Sequence, residues 1–233
     1  MRSSRSRADG LIARDVAHRG LHGGGVPENS LAAAEAAIAG GFAIECDVRL
    51  GGDATVLVFH DADTGRLCGR PGALVDADWR ALRLANGEAV PTLGALLATI
   101  GGRVPLFVEI KSDRHLPVAL CRGTLAALRP YAGLAAIMSF DPRIVRWFGR
   151  HDPDRPRGLV MTEHPGRRAA LRRRLALCYA NPDFLAYDVR CLPSALVSGF
   201  RARGRPVLSW TVRTAEDRAR AAAYADRPIW EAA

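Results

Sequence analysis

Four short segments of the chain end in side chains suited to chemistry rather than to packing. Val16-Ala17 leads into His18 and Arg19, AIECDVRL carries Glu45 and Asp47, VLVFHD ends on His60, and LFVEIK carries Glu109 and Lys111. Successive side chains of a strand alternate between its two faces, so Glu45 and Asp47 share one face while Ile44, Cys46 and Val48 take the other. Two carboxylates about 4 Å apart repel by about 4 kcal/mol at an effective dielectric near 20. Two remedies are open, salt bridges to arginine or a shared divalent cation. Glu109 and Lys111 share a face with Phe107, and a simple ion pair is their plainest account. Two strand-end histidines, His18 and His60, beside three acids suit general acid–base work. Together the four segments describe an anion site with a metal.

The elements that would position these residues are legible. Nine short apolar runs recur along the chain: Val16 to His18, Ala43 to Leu50, Val56 to His60, Leu106 to Lys111, Ala135 to Phe140, Gly158 to Met161, Phe184 to Asp188, Val207 to Thr211 and Pro228 to Trp230. Alanine- and leucine-rich stretches of helical length separate most of them, as in repeated βα units. Helices are expected over Ser30 to Ala39, Leu93 to Ile100, Leu116 to Leu128, Arg143 to Phe148 and Ala215 to Tyr224, with Asn29 or Ser30, and Thr214, as caps. Only a short stretch that opens with Gly51-Gly52-Asp53 divides the second and third runs, too few residues for a crossover helix, so that pair reads as a hairpin. Eight parallel strands remain. The expected fold is α/β, a TIM-type (β/α)8 barrel with an antiparallel β-hairpin after the second strand. The region from Asp61 to Pro91 reads as a small insertion with one short helix at Trp79 to Leu84. Barrel active sites lie at the C-terminal ends of the strands, where all four polar segments end.

The 233 residues suffice for one barrel, and we expect a flexible tail over 1–14 followed by a single domain over 15–233. Five scattered cysteines without a C-x-x-C pair argue against a disulfide framework or a zinc site. No apolar segment follows the basic start and no uncharged run approaches the roughly 18 residues of a membrane span, so a cytoplasmic location is expected. The net charge of +9 admits nucleic acid, an anionic membrane or an anionic substrate. The block Arg167-Arg168 with Arg172-Arg173-Arg174 is interleaved with Leu171, Leu175 and Leu177, the pattern of an amphipathic helix with a solvated basic face. Of 33 basic residues Lys111 alone is lysine. A retained ammonium in an arginine-biased chain points to a site that wants a compact charge on a flexible stem.

His18-Arg19-Gly20, Pro27-Glu28-Asn29-Ser30, Glu45-x-Asp47-Val48, His60-Asp61, Pro91-Thr92-Leu93 and Glu109-Ile110-Lys111, in that order and spacing, resemble the glycerophosphodiester phosphodiesterase family. Ser139-Phe140-Asp141 and Trp210-Thr211-Val212 resemble its later marks, so the likeness runs from about residue 15 to the end. The tail departs, with ADRPIWEAA where the family often has a Gly-Val-Asp strand and an Asp-Pro pair. The resemblance implies that Glu45, Asp47 and Glu109 bind a divalent metal, Mg²⁺ or Ca²⁺, as all-oxygen ligation suits hard cations. It implies that His18 and His60 are the acid–base pair and that Arg19 and Lys111 hold the phosphate oxygens. Glu28 and Asn29 would order the first loop, with helix capping an equal role for Asn29. Phe140 and Trp210 would wall the pocket for the leaving alcohol. His22 falls in the mobile part of the glycine-rich loop.

The implied reaction is hydrolysis of a small glycerophosphodiester to glycerol 3-phosphate and an alcohol. An alternative substrate is a lysophospholipid, in a lysophospholipase D-like reaction. The sequence shows no strongly apolar amphipathic helix, so stable membrane insertion is not expected and contact with a bilayer would be peripheral. A non-catalytic anion- or nucleic-acid-binding barrel rests on charge alone. No stacking motif or recognition helix accompanies that charge, so no nucleic-acid partner is expected.

Overall fold

In the computed structural model, residues 10–112 and 115–232 are described. Strands β1 (Val16–Ala17) and β2 (Ala43–Leu50) are followed by β3 (Val56–Val58), β4 (Leu106–Ile110), β5 (Ala135–Ser139), β6 (Arg157–Met161), β7 (Phe184–Asp188), β8 (Val207–Val212) and β9 (Arg227–Trp230). All but β3 run parallel, each beside its predecessor, and β1 closes the barrel by pairing with both β2 and β9, Val16 lying opposite Ala43 and Ile229. This is the expected eight-stranded barrel. β3 folds back antiparallel on the end of β2, Val48 opposite Val58, where β1 no longer covers that edge. The hairpin thereby lifts His60 to the rim.

The helices are α1 (Leu31–Ala39), a single turn α2 (Gly65–Cys68), α3 (Leu93–Ile100), α4 (Val118–Leu128), α5 (Pro142–His151), α6 (Arg167–Ala180), α7 (Ala195–Arg201) and α8 (Ala215–Tyr224). Ser30, not Asn29, caps α1 by accepting from Ala33 N, and Thr214 forms a capping box with Asp217 on α8. α4 starts two residues later than its pattern predicts, after Pro117, whose ring suits the edge of a helix and not its interior. The short helix expected at Trp79 to Leu84 is one 3-10 turn, Trp79–Ala81.

Alternation divides the core as the strand pattern requires. Ile44, Cys46, Val48, Val108 and Ile110 pack outward against α1, α3 and α4. Val16, Ala43, Phe107, Met138, Val160, Phe184 and Leu208 fill the barrel, with Phe107 and Phe184 edge to face at 5.7 Å. Glu45, Asp47, Glu109 and Lys111 continue the inward register of Ala43 and Phe107, so the apolar filling supports them from beneath.

Two expectations need correction. Residues 1–9 of the expected tail lie outside the described residues, but Leu11 is 2 % exposed and buried in the barrel core, so order begins before residue 14. In α6 the leucines do not all face inward. Ala176, Leu177 and Ala180 contact the core, whereas Leu171 and Leu175, four residues apart on another face, are 58 % and 60 % exposed among the arginines.

Candidate active site

β1 ends at Ala17, and the chain turns sharply through Arg19 and Gly20, with φ of +56° and +77°. A side chain at residue 20 would strike the Ala33 backbone at 2.8 Å, so glycine is required there. The turn directs the Arg19 amide onto Glu45 Oε2 at 3.0 Å, and the Arg19 guanidinium donates to Glu28 at 2.7 Å. Arg19 Nε also lies 3.1 Å from Asp47 Oδ2, an ion pair without hydrogen-bond alignment. Asn29 holds Asp47 from both sides: its amide donates to Oδ2 at 3.0 Å and its oxygen accepts from the Asp47 amide at 3.2 Å. It braces this carboxylate and does not cap α1.

Glu45, Asp47 and Glu109 are buried, and one oxygen from each lies within 4.8 Å of the others. Lys111 Nζ stands 2.7 Å from Asp47 Oδ1 and contacts Glu109. One remedy for carboxylate repulsion, ion pairing with Arg19 and Lys111, is therefore in use, but only in part. Burial, reinforced by Asp47 and Glu109, pushes the Glu45 carboxyl well above its usual range. Burial likewise raises Glu109, against the pull of Lys111. Asp47 is lowered despite its burial because Lys111 and Arg19 face it. Glu45 Oε1 has no hydrogen-bond partner among the described residues. An orphaned buried oxygen within a cluster of three carboxylates fits a hard divalent cation, which would give that oxygen its missing partner.

Each histidine has one ring nitrogen fixed by a carboxylate. His60 Nδ1 and Asp61 Oδ1 are 2.6 Å apart, and Arg66, from α2, clamps Asp61 at 2.6 Å and Glu28 at 2.8 Å. His18 Nδ1 and Glu231 Oε1 are also 2.6 Å apart, and Arg213 clamps Glu231 at 2.6 Å. His18 Nε2 is turned toward Glu45, 3.8 Å away. Burial lowers His60 from its ordinary value against the pull of Asp47. His22, expected in the mobile part of its loop, is half-buried and lowered by burial, with a ring nitrogen beside His18 and Glu231.

His18, Arg19, His60, Lys111, Phe140 and Trp210 line one cavity of about 250 Å³, which Glu109 also borders. Phe140 and Trp210 meet edge to face at 5.3 Å on its far wall. Glu28 and Asn29 stand behind this lining, bonded to Arg19 and Asp47. Sequence reasoning missed Glu231, Arg213 and Arg66. Glu231 lies in the atypical tail, 213 residues from the histidine it holds. The one available signal was an acid directly after the last strand, at the level where the other strand-end acids gather.

A family model described as the glycerophosphoryl diester phosphodiesterase family matches residues 18–227. The "Probable glycerophosphodiester phosphodiesterase 2" of Mycobacterium tuberculosis is 32% identical, with 88% of this chain and 81% of that protein covered. Among solved structures, a phosphodiesterase of Oleispira antarctica in complex with its product sn-glycerol-3-phosphate superposes with a TM-score of 0.84 at 22% identity, covering 96% of this chain and 94% of that one. A glycerophosphodiester phosphodiesterase of Thermotoga maritima does so with a TM-score of 0.77 at 23% identity, covering 93% and 94%. At these identities the two structures establish the barrel fold.

Proposed function

The chain belongs to the glycerophosphoryl diester phosphodiesterase family, and from that premise we propose that it hydrolyses glycerophosphodiesters to glycerol 3-phosphate and an alcohol, using two histidines and a divalent metal. One observation carries the reading: two carboxylate-braced imidazoles and two cations line one cavity, which Glu109 borders as one member of a buried cluster of three acids. The product bound to the Oleispira antarctica phosphodiesterase supports it from outside this chain.

Asp61 and Glu231 occupy the Nδ1 sides of His60 and His18, which leaves each Nε2 free to exchange a proton with substrate. Burial keeps His60 neutral near pH 7, the state that accepts a proton from the attacking hydroxyl. His18 would then protonate the leaving oxygen. Arg19 and Lys111 hold the non-bridging oxygens, the first as a fork and the second as a point charge. Glu45, Asp47 and Glu109 would hold Mg²⁺ or Ca²⁺, which when bound supplies Lewis-acid charge to the phosphoryl group. A water or the neighbouring glycerol hydroxyl can serve as nucleophile with the same residues. We place this chemistry in one domain, the expected 15–233 together with the residues from Leu11 on, and in the cytoplasm, a compartment consistent with five free cysteines. No helix of the described residues is long and apolar enough to cross a membrane.

The test is glycerol 3-phosphate release from a panel of glycerophosphodiesters with Mg²⁺, Ca²⁺ or chelator. His18→Ala and His60→Ala should each lower turnover by about 10²- to 10⁴-fold. Near-normal turnover in either variant, or full activity in chelator, overturns the assignment.

A second reading, the lysophospholipase D-like one, draws on a groove of about 540 Å³ that shares Lys111 with the catalytic cavity and continues past Leu50, Leu74, Pro117 and Leu120. An acyl chain could lie there while the phosphate keeps the same contacts. Faster turnover of lysophosphatidylcholine than of glycerophosphocholine would favour it.

A further inference from the structure

The carboxylate cluster is not the only set of metal-binding donors at the barrel mouth. One donor atom from each of His18, His22 and Glu231 lies within 4.8 Å of the others. Nε2 of His22 is buried and has no hydrogen-bond partner among the described residues, so this ring is held beside two good ligands with its own bonding capacity unused. Arg213 holds Glu231 chiefly through Oε2, at 2.6 Å, which leaves Oε1 directed at His18.

We propose that His18, His22 and Glu231 form a second, inhibitory metal site that takes Zn²⁺ or a similar transition ion and leaves the carboxylate cluster to hard cations. The two donor sets divide the ions by chemistry. Three carboxylates suit Mg²⁺ or Ca²⁺, whereas two imidazoles and one carboxylate are the ligands of many zinc centres. Zinc at about 2.0–2.2 Å from each ligand needs the donors roughly 3.3 Å apart, so His18 Nδ1 and Glu231 Oε1, now 2.6 Å apart, would open by about 0.7 Å while His22 closes by about 1.5 Å at most. Gly23, Gly24 and Gly25 follow His22, all at positive φ with open space around them, so the loop can supply that movement.

The consequence follows from which nitrogen is taken. Zinc would replace the proton shared by His18 Nδ1 and Glu231 Oε1 and release it to solvent. His18 would then carry a dication on its ring and could no longer cycle between imidazole and imidazolium. A hard cation on the carboxylate cluster would stay bound while the proposed acid–base step stopped. The claim of inhibition rests on the proposed role of His18; the claim of binding does not.

The experiment separates the two. Co²⁺ serves as the probe, titrated into the full chain under saturating Mg²⁺, because its visible absorption reports low-coordinate nitrogen ligation without any turnover. Wild type should take up one equivalent. Loss of an outer partner already weakens metal sites by about 10–100-fold, so His22→Ala should weaken Co²⁺ by at least about a hundredfold. Zinc inhibition should weaken in parallel, while zinc-free turnover of His22→Ala stays within about twofold of wild type, since His22 takes no part in the proposed chemistry. His22→Asn, which keeps a polar group in the loop, guards against misfolding as the cause, and both variants should unfold at the wild-type temperature. Equal Co²⁺ affinity in wild type and both variants overturns the site. Tight Co²⁺ binding that depends on His22, in a protein without phosphodiesterase turnover under Mg²⁺, would instead uphold the site and overturn the proposed function.

Discussion

The two halves of the barrel rim carry the same kind of residue and treat it in opposite ways. At the ends of β6 and β7, Glu163 accepts from Tyr187, Ser194 and Arg173, and Asp188 accepts from Thr162 at 3.0 Å and from Arg190 at 2.7 Å. Both are lowered from their ordinary values because these donors outweigh burial. At the ends of β2 and β4, Glu45 and Glu109 are raised, since burial and like charge exceed what Lys111 and Arg19 return. Three acids face two cations there, and Glu45 Oε1 has no hydrogen-bond partner among the described residues. Position on the fold therefore does not decide an acid's role. A saturated carboxylate serves structure, whereas an undersupplied one in a buried cluster has donor capacity left for the proposed cation.

The sharpest way to break this contrast is to neutralise one acid from each half. Glu45→Gln should lower Mg²⁺-dependent turnover by about 10²–10³-fold, the usual cost of removing one electrostatic contributor. In chelator the same variant should be at least as stable as wild type, because a repelled buried charge has gone. Asp188→Asn should do the reverse. It should lose about 1–3 kcal/mol of stability by weakening a saturated network and keep turnover within a few-fold. Denaturant unfolding and steady-state rates on both variants decide it, and a larger rate loss in Asp188→Asn would remove the contrast.

The same difference should appear as a pH dependence of the metal-free protein. Glu45 and Glu109 bind protons more tightly folded than unfolded, where their value is 4.5. The folded state therefore holds more protons above pH 4.5, and stability falls as pH rises from there toward the raised values. Asp47, lowered in the fold, has already delivered its full contribution by pH 5 and adds no slope above it. The contribution of these two acids to the unfolding midpoint in chelator should thus decline between pH 5 and pH 8, against a rising contribution from His22 and His60, which are lowered in the fold. Mg²⁺ at about a hundred times its Kd should restore about 2.7 kcal/mol at the upper end. Glu45→Gln should flatten the decline, whereas Asp188→Asn should not.

A second contrast lies between the two braced histidines. Asp61 is the sequence neighbour of His60, whereas Glu231 reaches His18 from the far end of the chain. Glu231→Gln removes the charge and keeps an oxygen, so kcat should fall by about 10–100-fold with little change in KM, the usual cost of an outer carboxylate partner. Burial pushes Glu231 up, but His18 and Arg213 hold it down to about 2. Its stabilising contribution is therefore complete above pH 4.5 and lost as pH falls through about 2. The unfolding midpoints of wild type and Glu231→Gln should differ at pH 6 and converge in acid.

That contrast also marks what the sequence made legible. The period-2 placement of Glu45, Asp47, Glu109 and Lys111 and the short hairpin connection after β2 are local patterns, and both appear in the structure. Strand bounds agree to within one or two residues for the same reason. Arg66 on Glu28 and Asp61, and Arg213 on Glu231, join residues far apart in the chain without any period, and only the closed barrel brings them together. Leu171 and Leu175 show the limit of periodicity itself. Leucines at helical spacing identify a helix, but α6 is oriented by Leu177 and Ala180, which turns the other two outward.

The smallest expected effect concerns the aromatic wall, where the second half of the barrel does touch the chemistry. Phe140 continues the inward register of Ala136 and Met138 on β5, and Trp210 that of Leu208 on β8, with its indole donating to Ala186 O at 2.9 Å. No cation–π contact to either ring is found among the described residues, so under the proposed function each would contribute contact with the alcohol portion of the substrate. Removing one aromatic partner costs about 0.5–1.5 kcal/mol, or roughly two- to tenfold. Phe140→Ala should raise KM by that factor for diesters with bulky or cationic alcohols such as choline, leave KM for glycerophosphoethanol nearly unchanged, and leave kcat alone in both. An equal effect on every substrate would place Phe140 in the phosphate site, and a fall in kcat would extend the undersupplied, reactive half of the rim across β5.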